Sequence, residues 1–277
     1  MAPLWAAANP QSAGVSSKAA APDLDSIVTG VEQAQQESSD RARPYTMVRD
    51  YRLYQGDPAN PSSSSSEVRA QVNYLPPGEK TFNIVRTTGM GRGTGVVQRI
   101  LENEAQMAKK PDLSEVSRRN YAFSLQGERM LDGRKCYVLG LQPLRKETYL
   151  LKGSVLVDGE TYRILQIEGE PARSPSWWLK TMHLAMTYSS LDGVWLPVST
   201  DAVAEVRLLG SHTMTSRAVS FAAGESVAMS GATGQMRPGS LARDAGYRSS
   251  TSPIAQRVRR PAIRPSASVV GAGILPQ

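Results

Sequence analysis

From Tyr45 onward, apolar and polar side chains alternate with a period of two in segment after segment, and turn-forming residues separate the segments. Successive side chains of a strand point to opposite faces, so such alternation marks half-buried strands. The pattern predicts ten of them: YTMVRDYRLYQ, EVRAQVNYLP, KTFNIVRTT, YAFSLQGERML, KCYVLGLQPL, ETYLLKGSVLVD, TYRILQIEGE, WLKTMHLAMTYSS, VWLPVSTDAVAEVRLLG and HTMTSRAVSF. Asp132-Gly133, Asp158-Gly159 and Asp192-Gly193 sit between neighbours. Asp-Gly supplies the positive φ angles of a two-residue hairpin turn, and consecutive hairpins make an antiparallel meander. Helical spacing appears twice. In DLDSIVTGVEQAQQES, residues 23–38, Leu24, Ile27, Val28 and Val31 share one face behind an aspartate placed to cap the first turn. In the stretch from Val96 to Lys109, Val97, Ile100, Leu101 and Ala105 share another.

Several strands are apolar on both faces. Around residues 161–170, Tyr162 and Ile164 are expected to point one way and Leu165 and Ile167 the other. Trp178, Met182, Leu184, Met186 and Tyr188 are expected to line one face of the next strand, with Leu179 and Ala185 on its back. A sheet with one wet face alternates cleanly, so both faces are at least partly covered. Either a solid core or a cavity that holds a ligand satisfies this pattern. Met130, Met182, Met186 and Met214 lean toward the cavity, because unbranched thioethers adapt to variable guests.

The segment TTGMGRGTGVVQRILENE, with Gly89, Gly91, Gly93 and Gly95 at every second position, invites a phosphate-loop reading. A dinucleotide fingerprint needs flanking parallel strands, and a Walker loop needs Gly-Lys-Ser/Thr where this chain has Gly95-Val96-Val97. The four glycines are therefore read as a hinge that reverses the chain into the helix carrying Val97, Ile100 and Leu101, and lets that helix act as a lid. Catalytic residues are sparse. His183 and His212 lie in strand-like sequence without triad or metal-site company, and Glu168 and Glu170 share one strand face as the only paired carboxylates of note. Cys136, the single cysteine, lies inside a strand and reads as an inert thiol. No enzyme, metal site or cofactor is expected.

The net charge of +7 would suit a nucleic-acid protein only if it were clustered on the folded part. Residues 222–277 hold seven arginines against Glu225 and Asp244, a net of +5, which leaves the body nearly neutral and argues against nucleic-acid binding. That Gly-, Ser-, Pro- and Arg-rich tail reads as disordered from Ala222, with RVRRPAIRP as a cluster suited to an anionic membrane surface. The serine run Ser62 to Ser66 reads as a flexible connector. Residues 1–22 read as a disordered terminus or as the remnant of a signal peptide, since the start lacks a basic region.

Residues 147–221 resemble the C-terminal half of the LolA/LolB-like superfamily of outer-membrane lipoprotein-sorting proteins, which includes RseB-type sensors. The resemblance lies in VLVDGETYRILQIEGEPA, the break SPSWW, the strand KTMHLAMTYSS and GVWLPVSTDAVAEVRLLGSHTMT; GMGRGTGVVQRILENE fits the helix entry. It implies an α+β fold over residues 23–221: a strongly curved antiparallel sheet forming an incomplete barrel, with helices across its concave face. It further implies a protein of the periplasm or bacterial cell envelope that holds a lipid, a lipoprotein acyl chain or another amphiphile between sheet and helices. Tyr149, Leu151, Tyr162, Ile164, Trp178, Met182, Leu184, Met186 and Trp195 are the expected lining. An envelope sensor or assembly factor with a solid core stays open as the alternative, and Trp177 and Trp178 are then the anchors for a protein partner. No lipidation cysteine stands near the start, so a membrane-anchored acceptor is not expected.

Overall fold

Two aspartate-glycine turns set the direction of the sheet. Asp132 and Gly133 have φ of 49° and 78°, and Asp192 and Gly193 have 48° and 80°. These left-handed pairs match the right-handed twist of the strands they join. Each folds its flanking segments back as an antiparallel hairpin. The computed structural model describes residues 23–56, 66–89 and 92–224. The strands are β1 (Tyr45–Gln55), β2 (Ser66–Leu75), β3 (Glu79–Thr88), β4 (Tyr121–Leu131), β5 (Arg134–Pro143), β6 (Leu151–Asp158), β7 (Ile164–Pro171), β8 (Leu179–Leu191), β9 (Val194–Val206) and β10 (Gly210–Ala223). The helices are α1 (Leu24–Asp40) and α2 (Arg92–Ala108), followed by a 3-10 turn at Pro111–Leu113.

All ten strands form one antiparallel sheet in the order β3-β2-β1-β10-β9-β8-β7-β6-β5-β4. It is an incomplete barrel with the helices on its concave face, as expected. The meander from β4 to β10 returns to the first strand, and β1 pairs with β10 along its whole length. Residues paired directly across antiparallel strands share a face. One row therefore crosses the entire concave side: Leu125, Leu139, Val155, Ile167, Met186, Thr200, Ser216, Tyr51, Val68 and Thr87.

Helix α1 begins as predicted. The Asp23 side chain accepts a hydrogen bond from the Ser26 backbone N–H at 2.7 Å. Its buried Ile27, Val28 and Val31 pack with Tyr137, Leu139, Leu150, Val155 and Val157 over β5 and β6. Helix α2 buries Val97 and Leu101 against Tyr51, Val68, Ala70 and Val72 of β1 and β2.

Several expectations need correction. Helix α2 starts at Arg92 rather than Val96, so Gly93 and Gly95 belong to its first turn and not to a hinge. Gly93 is needed for close approach: a Cβ there would lie 2.5 Å from the Ser66 Cβ. Gly89, with φ 85°, ends β3, and Gly91 lies outside the described residues. Asp158-Gly159 opens a longer connection instead of a two-residue turn, since β7 starts only at Ile164. Ala222 and Ala223 are not tail but strand, paired with Thr46 and Tyr45. The readings of residues 1–22, of Ser62 to Ser65 and of the tail beyond Gly224 fall outside the described residues.

Candidate functional site

The helices leave the middle of the concave face only partly covered. Leu184, Met186 and Tyr188 of β8 are half-buried at the edge of the cluster beneath α1, and Leu53 and Met214 are half-buried at the edge of the cluster beneath α2. Register joins the two edges. Gly169, Leu184, Ala202, Met214 and Leu53 form one cross-strand row, and Met182, Ala204 and His212 form the next. Gly169 and Ala202 keep the floor low while leucine and methionine stand on either side. The result is an apolar trough across β8, β9, β10 and β1, open between the helices.

Of the expected lining residues, Tyr149, Leu151, Tyr162, Ile164, Leu184 and Met186 all belong to the α1 cluster, Leu151 and Ile164 as buried members and the others at its rim. Met182 is half-buried on the same face. Two lie elsewhere. Trp178 precedes β8 in an exposed turn. Trp195 packs on the opposite face with Cys136, Leu156 and Leu165, its indole donating to the Ile164 carbonyl at 3.0 Å and Arg163 lying over its ring. That outer cluster explains why β7 is apolar on both sides. The expected alternation also fails there: a bulge between Leu156 and Val157 pairs Val157 with Ile164 and Val155 with Ile167. Ile164 and Ile167 therefore face the same way, and only Leu165 points outward. Met130 is exposed on β4, away from the trough.

The connection after β6 fixes Tyr162. The Asp158 carboxylate accepts from the backbone N–H of Glu160 and Thr161, from the Thr161 hydroxyl and from Arg134. Burial alone would raise this carboxyl, but those donors together hold it below the usual carboxylate range. With the loop pinned, Tyr162 takes φ 54° and its ring fills the space over Gly30 of α1.

One feature of the site went unanticipated: a charged residue at a core position of β1. Arg49 alternates inward with Met47 and Tyr51, and its side chain is 8% exposed. Its Nη1 donates to both carboxylate oxygens of Glu104 on α2 at 3.1 Å, and Nη2 to the Pro197 carbonyl at 3.4 Å. Lys80 of β3 approaches the same carboxylate at 3.4 Å. A basic residue at inward parity was the available signal. This network ties α2 to β1, β3 and β9.

Glu168 and Glu170 face outward, in an open polar cleft of about 510 Å³ shared with Lys152, Ser154 and His183. Glu168 accepts hydrogen bonds from Ser154 and Gln166. His212 Nδ1 lies 3.1 Å from the Gly210 carbonyl. Cys136 is buried, which raises its thiol pKa. Among the described residues no group of three metal-ligating side chains comes together, and no helix is long and apolar enough to cross a membrane.

No protein-family model matches the chain, and no curated protein matches it. In structure it is similar to a LolA superfamily protein from Nitrosomonas europaea, with 10% identity over 71% of this chain and 91% of that one, at a TM-score of 0.34. It is also similar to a domain from Vibrio parahaemolyticus assigned to outer membrane lipoprotein sorting, with 14% identity over 74% and 94% of the two chains, at a TM-score of 0.40. A third likeness is to the MucA/MucB complex of Pseudomonas aeruginosa, with 11% identity over 72% of this chain and 100% of that one, at a TM-score of 0.23.

Proposed function

We propose that the chain is a non-enzymatic protein of the cell envelope that binds an acyl chain or similar amphiphile in the trough between α1 and α2. The observation that carries this reading is the set of half-buried side chains Leu184, Met186, Met214 and Leu53, which bridges two otherwise closed clusters. Side chains left partly wet between two packed helices gain by covering with another apolar surface. An acyl chain gains about 0.8 kcal/mol per methylene buried there. The thioethers of Met182, Met186 and Met214 tolerate guests of differing shape. Helix α1, buried at Ile27, Val28 and Val31, and helix α2, buried at Val97 and Leu101, are its two walls.

The test is displacement of a fluorescent fatty acid from the full chain, with native mass spectrometry of protein purified without detergent. Leu184→Gln with Met186→Gln is expected to weaken binding about tenfold or more. Detection of the apo mass alone, together with no displacement by the unaltered chain, overturns the reading. The alternative is a sensor or assembly factor that works through its surface. It is favoured by α1, whose contact face is filled rather than hollow. It predicts that the same two substitutions leave every interaction of the protein unchanged.

A further inference from the structure

We propose that the two turns at one end of the trough dock the protein on an anionic lipid bilayer. The segment between β7 and β8 presents Trp177 at 84% and Trp178 at 41% exposure, and the turn between β9 and β10 presents Leu208 at 104% and Leu209 at 58%. The two turns are one unit. Arg207 donates its backbone N–H to the Trp178 carbonyl at 2.9 Å and its Nε to the Trp177 carbonyl at 3.1 Å. Ser174 donates to the Ser176 carbonyl, and the Leu179 N–H returns to the same atom at 3.2 Å. The tryptophans are thus held outward by an ordered turn.

Backbone strain points the same way. Leu208 has φ 69°, a left-handed conformation that glycine or asparagine adopts easily and leucine does not. A hairpin turn has no conformational use for leucine at that position, so the side chain is there for what it meets. Within this chain it meets nothing, because Leu208 is fully exposed. Four large apolar side chains project from the two joined turns, each of them exposed. A protein partner would need a matched pocket for each, whereas the bilayer interface accommodates such pegs as they stand.

The charges select the kind of surface. Over residues 173–180 and 206–210 the charged side chains are Arg173, Lys180 and Arg207, all exposed and all basic, with Arg173 facing Glu147 at 3.8 Å. Tryptophan beside arginine and lysine is the composition of a membrane interface, and basic residues near it favour anionic head groups. The turns also mark the open end of the trough, since Leu179 pairs with Val206 and Met182 with Ala204 a few residues in. Docking stands on the turns alone. Its consequence, that this end of the trough is turned toward a leaflet where an amphiphile enters or leaves, rests on the proposed trough.

The test is co-sedimentation of the full chain with vesicles of phosphatidylcholine alone and of phosphatidylcholine mixed with phosphatidylglycerol, read alongside tryptophan emission and its quenching by brominated lipid. The unaltered chain is expected to bind the mixed vesicles, to shift its emission to the blue and to be quenched. Trp177→Ser with Leu208→Ser changes only exposed side chains, so its thermal midpoint should match the unaltered chain. The pair is expected to weaken vesicle binding about tenfold or more and to abolish most of the quenching. Its displacement of fluorescent fatty acid should stay as in the unaltered chain, which separates failure of docking from failure of the trough. No binding to either vesicle overturns the proposal and assigns the turns to a protein partner. Equal binding by the variant overturns it in favour of basic residues elsewhere in the chain.

Discussion

Neutralising Glu104 should harm this protein more than removing the charge it serves. The Arg49 side chain is 8% exposed and meets both Glu104 oxygens at 3.1 Å and the Pro197 carbonyl at 3.4 Å. Burial opposes the charged guanidinium, and Glu104 opposes that effect. Glu104→Gln keeps the volume but leaves a buried cation without its counter-charge and removes the partner of Lys80. Breaking a buried pair from one side costs 3–5 kcal/mol; the Glu104 side chain is 30% exposed, so water compensates in part and we expect about 3 kcal/mol. For a domain of this size, that lowers the melting midpoint by about 6–12 °C. Arg49→Met removes the buried charge and fills the space with apolar atoms, and should cost less than about 1 kcal/mol. The double variant should recover most of the loss, because the two sites are coupled. Urea titrations of the four proteins supply the free energies, with equal slopes as the check that the same surface unfolds. The reasoning fails if Arg49→Met costs as much as Glu104→Gln, or if the double variant merely sums the two.

Three further outcomes follow from local geometry. The folded Asp158 carboxyl lies below its ordinary value of 3.8, so its contribution is present above that value and is lost as pH falls through the folded pKa. Asp158→Asn should cost about 1–3 kcal/mol at neutral pH and flatten the acid limb of stability against pH, and an unchanged limb refutes this. Burial pushes the Tyr45 phenol up to about 12, so the stability it confers is complete below the unfolded value of 10.0 and is lost as pH rises toward 12. Urea midpoints at successive alkaline pH values should decline across that window, and a Tyr45→Phe variant should decline less. At Gly30, an added Cβ would lie 2.5 Å from Cγ of the Tyr162 ring. Gly30→Ala should therefore lose about 1–3 kcal/mol despite a helix-propensity gain of about 1 kcal/mol, and should turn neutral or stabilising in a Tyr162→Ala background. A destabilising Gly30→Ala in that background contradicts the clash.

The fold was legible because a strand's period is short and its ends are punctuated. Tyr45 to Gln55 and Tyr121 to Leu131 match their predicted bounds, and Asp23 caps the helix it was expected to cap. What stayed hidden were single-residue shifts in pairing. The bulge beside Leu156 turned Ile164 and Ile167 to one face, a consequence of cross-strand register that no local alternation records. Trp195 is expected in the lining, but its partners Cys136, Leu156 and Leu165 come from three other strands, and the register among them decides its face. The start of α2 was missed because glycine reads as a breaker, whereas Gly93 serves the contact with Ser66. Leu184 and Met186 were anticipated. Their companions Leu53 and Ala202 were not, since they reach the trough only through the pairing of β8 with β9, β9 with β10 and β10 with β1.

The pairing of β1 with β10 also sets an order of events. The hairpins of β1 to β3 and the meander from β4 to β9 can each form from neighbours as the chain emerges, but the seam joins Tyr45 to Ala223 and Gln55 to His212, far apart in sequence. Contacts that distant carry a large loop-closure cost and form late. The trough lies across that seam, so its floor is completed only when the last strand docks. A chain stopped before β10 would hold both helices' clusters and two unprotected strand edges, at β1 and β9, and no place for a guest.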